Sequence, residues 1–151
     1  MPVIHLQTFI EAPVETVFDM SRSVDLHKSS MKHHNEEAVA GVTKGLMKKG
    51  DTVTWQAKHL FRTRKLKVTI TEMTSPTFFA DEMLEGDFKM MRHEHYFHPQ
   101  NKGTLMVDKF SFESPFGIMG KLVNAVFLKK YMTQLLLQRN SEIKRMAENH
   151  L

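Results

Sequence analysis

The chain contains no cysteine, and that absence excludes disulfides, thiolate metal sites and thiol nucleophiles together. It also fits a reducing compartment. No apolar run approaches the roughly 20 residues that a membrane helix requires. The opening stretch, MPVIHLQTFIEAP, has no basic segment followed by a long apolar one, so no signal peptide is expected. A soluble, cytoplasmic protein is the reading. The sequence lacks internal repeats, low-complexity tracts and linkers rich in Pro, Gly or Ser. At 151 residues one domain over 1–151 is expected. A chain of that size buries roughly 70% of the surface its unfolded form exposes, so its core needs no staple.

Charge of one sign is only mildly in excess. The net charge is +4 and the pI about 9.3. The basic residues cluster at RTRKLK (62–67), KKY (129–131) and KR (144–145). Solvated strand and helix faces account for them. They do not make the concentrated stripe of a nucleic-acid surface, although transient contact with an acidic membrane surface would use them. Nothing in the sequence sets an oligomeric state.

What is present is periodicity. Residues 2–10 alternate as a strand. Pro13 suits the first turn of a helix, where its missing N–H would be unpaired anyway. Val14, Val17 and Phe18 fall at helical spacing. Ser23 is a competent N-cap for a second short helix through SVDLHKSS. Residues 31–49 read as irregular, with a short strand near EEAVAG. From Gly50 the period becomes two, and DTVTWQAKHLF, RKLKVTITEM, TFFADEML, FKMMRHEHYFH and TLMVDKFSF each read as strands. Ser75-Pro76, Gly86-Asp87 and Pro99 to Gly103 mark the turns between the last four. Five consecutive strands on short turns form an antiparallel sheet. The chain closes on SPFG and an apolar-rich helix from 118 to about 148. Ile118, Leu122, Ala125, Leu128, Met132, Leu135, Leu136, Ile143 and Met146 lie on its broad stripe. Val123, Phe127 and Tyr131 fall beside it. The order is α+β. A curved sheet around a long helix leaves gaps that suit small apolar ligands.

In this order, APVETVF (12–18), TFFADEM (77–83), RHEHYF (92–97), GTLMVD (103–108) and the SPFG-plus-helix ending resemble the START-like (SRPBCC) superfamily. That group includes polyketide cyclase/dehydrase-like and lipid-transport proteins with the Bet v 1-like fold. The resemblance covers almost the whole chain. It implies a helix-grip fold: a curved seven-stranded antiparallel sheet, two short helices after the first strand, and a long C-terminal helix packed over a cavity. It implies a hydrophobic small-molecule partner. It carries no invariant catalytic set and no cofactor.

RHEHYF at 92–97 holds the chemistry. Residues two apart on a strand share a face, so Met91, His93, His95 and Phe97 point one way, and Arg92, Glu94 and Tyr96 the other. On the next strand Met106, Asp108, Phe110 and Phe112 oppose Lys109, which places the Asp108 side inward. Trp55 and His59 face inward on an earlier strand. Phe79, Asp81 and Met83 join them on the family pattern. The expected ligand-binding wall is therefore Trp55, His59, Phe79, Asp81, Met83, Met91, His93, His95, Phe97, Met106, Asp108 and Phe110. Buried imidazoles and carboxylates are costly unless they pair, so hydrogen bonds from Asp108 to His93 or His95 are expected.

Four readings of these groups stay open. A ligand cavity would use a few polar groups to orient an amphipathic molecule. A cyclase- or dehydratase-like enzyme would use His93, His95 and Asp108 as acid and base. A metal site would need a third ligand such as Asp108 or His59 beside the His-x-His pair; no HExxH motif supports it, and no metal is expected. The histidines could equally be satisfied core residues. A protein-interaction module using the basic helix is a further alternative. His27, His33 and His34 are expected to be solvent-exposed. The region 31–50 is expected to border the cavity mouth as a lid. The chain's methionines would give such a wall an adaptable lining.

Overall fold

The computed structural model describes residues 2–114 and 118–149, with the side chains of 118–125 outside the described set. The elements are β1 (Val3–Ile10), α1 (Val14–Ser21), α2 (Val24–Ser30), a 3₁₀ turn (Lys32–His34), β2 (Glu37–Gly41), β3 (Thr52–His59), β4 (Arg62–Thr74), β5 (Phe78–Glu85), β6 (Met90–Gln100), β7 (Gly103–Glu113) and α3 (Ile118–Asn149). All seven strands form one antiparallel sheet in the order β1-β7-β6-β5-β4-β3-β2.

Local chemistry sets the boundaries. Pro13 precedes α1 as its N-cap, and the Ser23 hydroxyl accepts the Leu26 N–H at 3.2 Å to start α2. Gly41 ends β2 at φ +75°, where a Cβ would sit 2.3 Å from the Thr52 carbonyl oxygen; only glycine fits that approach. β6 and β7 extend further than the turn residues suggested. Pro99 and Gln100 stay in the ladder opposite Thr104 and Gly103, leaving a two-residue turn with Asn101 at φ 53°. Register shifts in the β4–β5 pair, at Lys67/Val68 and Ile70/Glu72, bend the sheet locally.

α3 has 32 residues, about 48 Å at 1.5 Å per residue. Its buried positions are Leu136, Arg139, Asn140, Ile143 and Ala147, with Leu128, Met132 and Leu135 half-buried. Met146, expected on this stripe, is 39% exposed. Ala147 takes the inward place, because steps of three or four from Ile143 select 147 as readily as 146. Ile118, Leu122, Val123 and Ala125 lie outside the described side chains, as does the Pro115–Gly117 part of the SPFG segment. The C-terminal half of α3 is clipped to the end of β1: Lys144 Nζ donates to the Phe9 carbonyl at 2.6 Å, and Glu148 accepts the Glu11 N–H at 3.0 Å. The other end is less covered, with Val126 73% and Phe127 51% exposed.

The inward face of the sheet follows the alternation closely. Met91, His93, His95 and Phe97 are buried on β6, and Thr104, Met106, Asp108, Phe110 and Phe112 on β7. On the outer face Arg92 pairs with Glu72 and Glu82, and Tyr96 donates to Glu94. Among the described residues no helix is long and apolar enough to cross a membrane.

Candidate functional site

Between the sheet, α2 and α3 lies a cavity in two neighbouring parts that share part of their lining. The inner part has a volume of about 170 Å³ and the outer part about 490 Å³. Trp55, His59, Leu66, Met132, Leu135 and Glu36 border both. The inner part ends on Asp81, His93, His95 and Arg139, with Phe79, Met91 and Phe110 around them. The outer part opens between the β3–β4 hairpin (Leu60, Arg62, Arg64) and the α3 residues Phe127, Leu128 and Tyr131.

Direct cross-strand neighbours are Asp81 with His93 and His95 with Asp108. The hydrogen bonds run diagonally instead. His93 Nε2 bonds Asp108 Oδ1 at 2.7 Å, and His95 Nε2 bonds Asp81 Oδ1 at 2.7 Å. Diagonal neighbours are within reach of side chains this long. The crossing lets the two imidazoles stack at 3.7 Å, with Phe79 stacked on His95 at 4.0 Å. Asp108 is fully buried. It also accepts from Asn140 Nδ2 at 2.7 Å and Arg139 Nη1 at 3.3 Å. Arg139 further donates to Asn140 Oδ1, Ser21 Oγ and His95 Nδ1.

These partners fix the protonation pattern. Burial pushes the Asp108 carboxyl up, but the hydrogen bond from His93 and the charge of Arg139 together outweigh it and hold it below the usual carboxylate range. Burial likewise raises Asp81, but its hydrogen bond to His95 and the nearby charges of His95, His93 and Arg139 together more than offset this. His95 goes the other way: burial, then the neighbouring His93, hold it down to about 3. A neutral His95 with its proton on Nε2 donates to Asp81 and accepts from Arg139 at Nδ1, so both nitrogens are used.

Asp81, His93 and His95 place ligand atoms within 4.8 Å of one another. Asp81, rather than His59, joins the His-x-His pair in that group, and Asp108 Oδ1 also lies 2.7 Å from His93 Nε2 and 3.6 Å from His95 Nδ1. His95 is not set up as a ligand through Nε2. A histidine bound through Nε2 keeps its proton on Nδ1 and needs an acceptor there, whereas His95 Nδ1 faces the Arg139 guanidinium at 3.2 Å.

Of the expected wall, Trp55, His59, Phe79, Asp81, Met91, His93, His95 and Phe110 line the cavity. Four do not. Phe97 and Met106 are fully buried at the end of the sheet covered by α1, where Phe18 meets the Phe97 ring edge-on at 5.4 Å. Asp108 lies behind His93. Met83 folds onto the Gly86 turn, where a Cβ on Gly86 would meet its sulfur at 2.8 Å. Two early histidines, expected to be exposed, are half-buried. His27 bonds buried Glu36 at 2.6 Å and packs on Trp55 at 4.3 Å. His34 lies over His59 at 4.4 Å, and His59 Nδ1 bonds the Tyr131 hydroxyl at 2.8 Å. Burial and then His34 lower the His59 pKa. His33 is exposed. Met31, Glu36 and Met47 bring the 31–50 region to the inner cavity.

Sequence reasoning missed Arg139 and Asn140. Their signal was positional, since Leu136, Arg139, Asn140 and Ile143 are spaced by three and four.

This strand order with a long helix laid over the sheet defines the START-like, Bet v 1-like helix-grip fold. No protein-family model matches the sequence, and no curated protein is similar to it. Solved structures share the architecture. One is a protein from Thermus thermophilus, 20% identical, covering 94% of this chain and 97% of its own, at TM-score 0.72. A second is a START superfamily protein from Mycobacterium smegmatis, 12% identical, with 99% of both chains covered, at TM-score 0.74. A third is a major latex-like protein from Panax ginseng, 13% identical, with 97% of both chains covered, at TM-score 0.66.

Proposed function

We propose that this chain binds a hydrophobic or amphipathic small molecule, of lipid, polyketide-like or aromatic type, in the cavity between α3 and the sheet. One observation carries the reading. The cavity is walled by Trp55, Phe79, Met91, Phe110 and Met132, with the polar cluster of Asp81, His93, His95 and Arg139 set among them, the arrangement of a site that orients a mostly apolar molecule. Native mass spectrometry of the protein purified from its own cells tests this. A co-purified mass released on denaturation is expected. Bare protein that also fails to take up any apolar probe would refute it.

Cyclase- or dehydratase-like catalysis is the second reading, favoured by the Asp108–His93 pair. Asp108 orients His93 from behind, as an orienting carboxylate does for a general base. His95 is unsuited to that role, because both its nitrogens are engaged. Turnover of a candidate substrate that is lost in His93→Gln while affinity persists would support it. Lost affinity alone returns the site to binding.

Contact with an acidic membrane is supported at the cavity mouth. Phe61 is 98% exposed at the tip of the β3–β4 hairpin, beside Arg62, with Lys129 and Lys130 exposed on α3. Sedimentation with anionic vesicles, but not neutral ones, is expected, and Phe61→Asp should abolish it. Equal sedimentation with neutral vesicles would count against it.

A further inference from the structure

We infer that the inner end of the cavity selects a ligand whose polar head is a hydrogen-bond donor, a hydroxyl or an amine, and rejects a carboxylate head. The inference rests on the binding function proposed above and adds the chemistry of the ligand's buried end.

Arg139 looks like an anion clamp, but its terminal N–H groups are spent. Nη1 donates to Asp108 and Asn140, and Nη2 to Ser21 and His95. A second guanidinium, Arg22, is held by Asp19 at 2.7 Å and by the Met47 carbonyl at 3.0 Å. The Asp81 carboxylate remains. Asp81 gives one oxygen to His95, and His93 gives Nε2 to Asp108. Among the described residues, neither the second Asp81 oxygen nor His93 Nδ1 has a partner. Among the described residues no buried side-chain nitrogen or oxygen is left without one, so both atoms open to the cavity that their residues line. An ionised carboxylate such as Asp81 is acceptor-only. A ligand hydroxyl or amine donates to the open Asp81 oxygen. A ligand carboxylate brings a further acceptor and a like charge, with Asp81, Asp108 and Glu36 already outnumbering the two engaged guanidiniums.

The test compares three probes of one chain length: 1-octanol, octyl methyl ether and octanoate. They are titrated at pH 7 and followed by emission of Trp55, the only tryptophan and a residue of the cavity wall. The ether keeps an oxygen but has no donor. Octanol is expected to bind about tenfold tighter than the ether, and octanoate more weakly than either. Asp81→Asn keeps an oxygen for His95 and turns an amide donor to the cavity. It is expected to reduce the preference for octanol over octanoate by about tenfold or reverse it. Ether binding as tight as octanol, or octanoate binding tightest, overturns the inference while leaving the cavity a binding site. Failure of all three probes overturns the proposed function as well. The wild-type comparison decides the matter even if the variant does not fold.

Discussion

Replacing Asp108 with asparagine tests the polar hub without changing its shape. Asp108 is fully buried and accepts from His93, Asn140 and Arg139. Asparagine offers one oxygen where the carboxylate offers two, and turns an N–H₂ toward donors. The buried Arg139 guanidinium then loses its counter-ion, while His93 and Asn140 compete for one acceptor. Removing one partner of a buried ion pair costs about 3–5 kcal/mol, chiefly because the other charge stays buried and uncompensated. In a chain of this size each kcal/mol lowers the melting temperature by roughly 2–4 °C, so a fall of roughly 6–20 °C is expected. Urea unfolding at pH 7 gives the free energy and calorimetry the melting temperature. A loss below about 1 kcal/mol would show that the hub is solvated or rearranged, and would refute the account of it.

Acid should weaken the fold well above the carboxylate range. His95 titrates near 6.5 when unfolded and about 3 when folded. Between those values the unfolded chain binds the extra proton, so stability falls as pH drops, by up to about 1.4 kcal/mol per pH unit. Asp81 and Asp108, both depressed when folded, add their losses only below about pH 4. Urea midpoints measured across this range check the slope, His95→Gln should flatten it, and constant stability from pH 7 to 5 would contradict it. Phe97→Ala, at a fully buried ring packed on Phe18, should cost about 3–5 kcal/mol in urea unfolding. Phe61→Ala, at the 98% exposed hairpin tip, should stay within about 0.5 kcal/mol.

The sheet was legible because alternation is a local signal. His93, His95, Asp108 and Phe110 face inward as their spacing requires, and the pairing of imidazoles with carboxylates follows from the cost of burying either alone. What was not legible depends on tertiary placement. The strand pattern puts Phe97 and Met106 on the same face as His93, but only the position of α1 decides that they lie in packed core while His93 meets the cavity. Arg139 and Asn140 share the spacing of Leu136 and Ile143, but nothing marks these polar side chains as inward until Asp108 is known to sit opposite them. His27 and His34 lie in a polar segment whose partners, Glu36, Trp55 and His59, become neighbours only once the chain has folded back along β3.

Twelve methionines supply the most direct measurement. Met91 and Met132 line the cavity, whereas Met146 lies in a separate groove on the far side of α2 and α3. Methyl resonances followed through an octanol titration should shift saturably at Met91 and Met132, with Met146 unmoved. No saturable shift at either cavity methyl, or shifts confined to Met146, would mean that the space beneath α3 does not take a ligand.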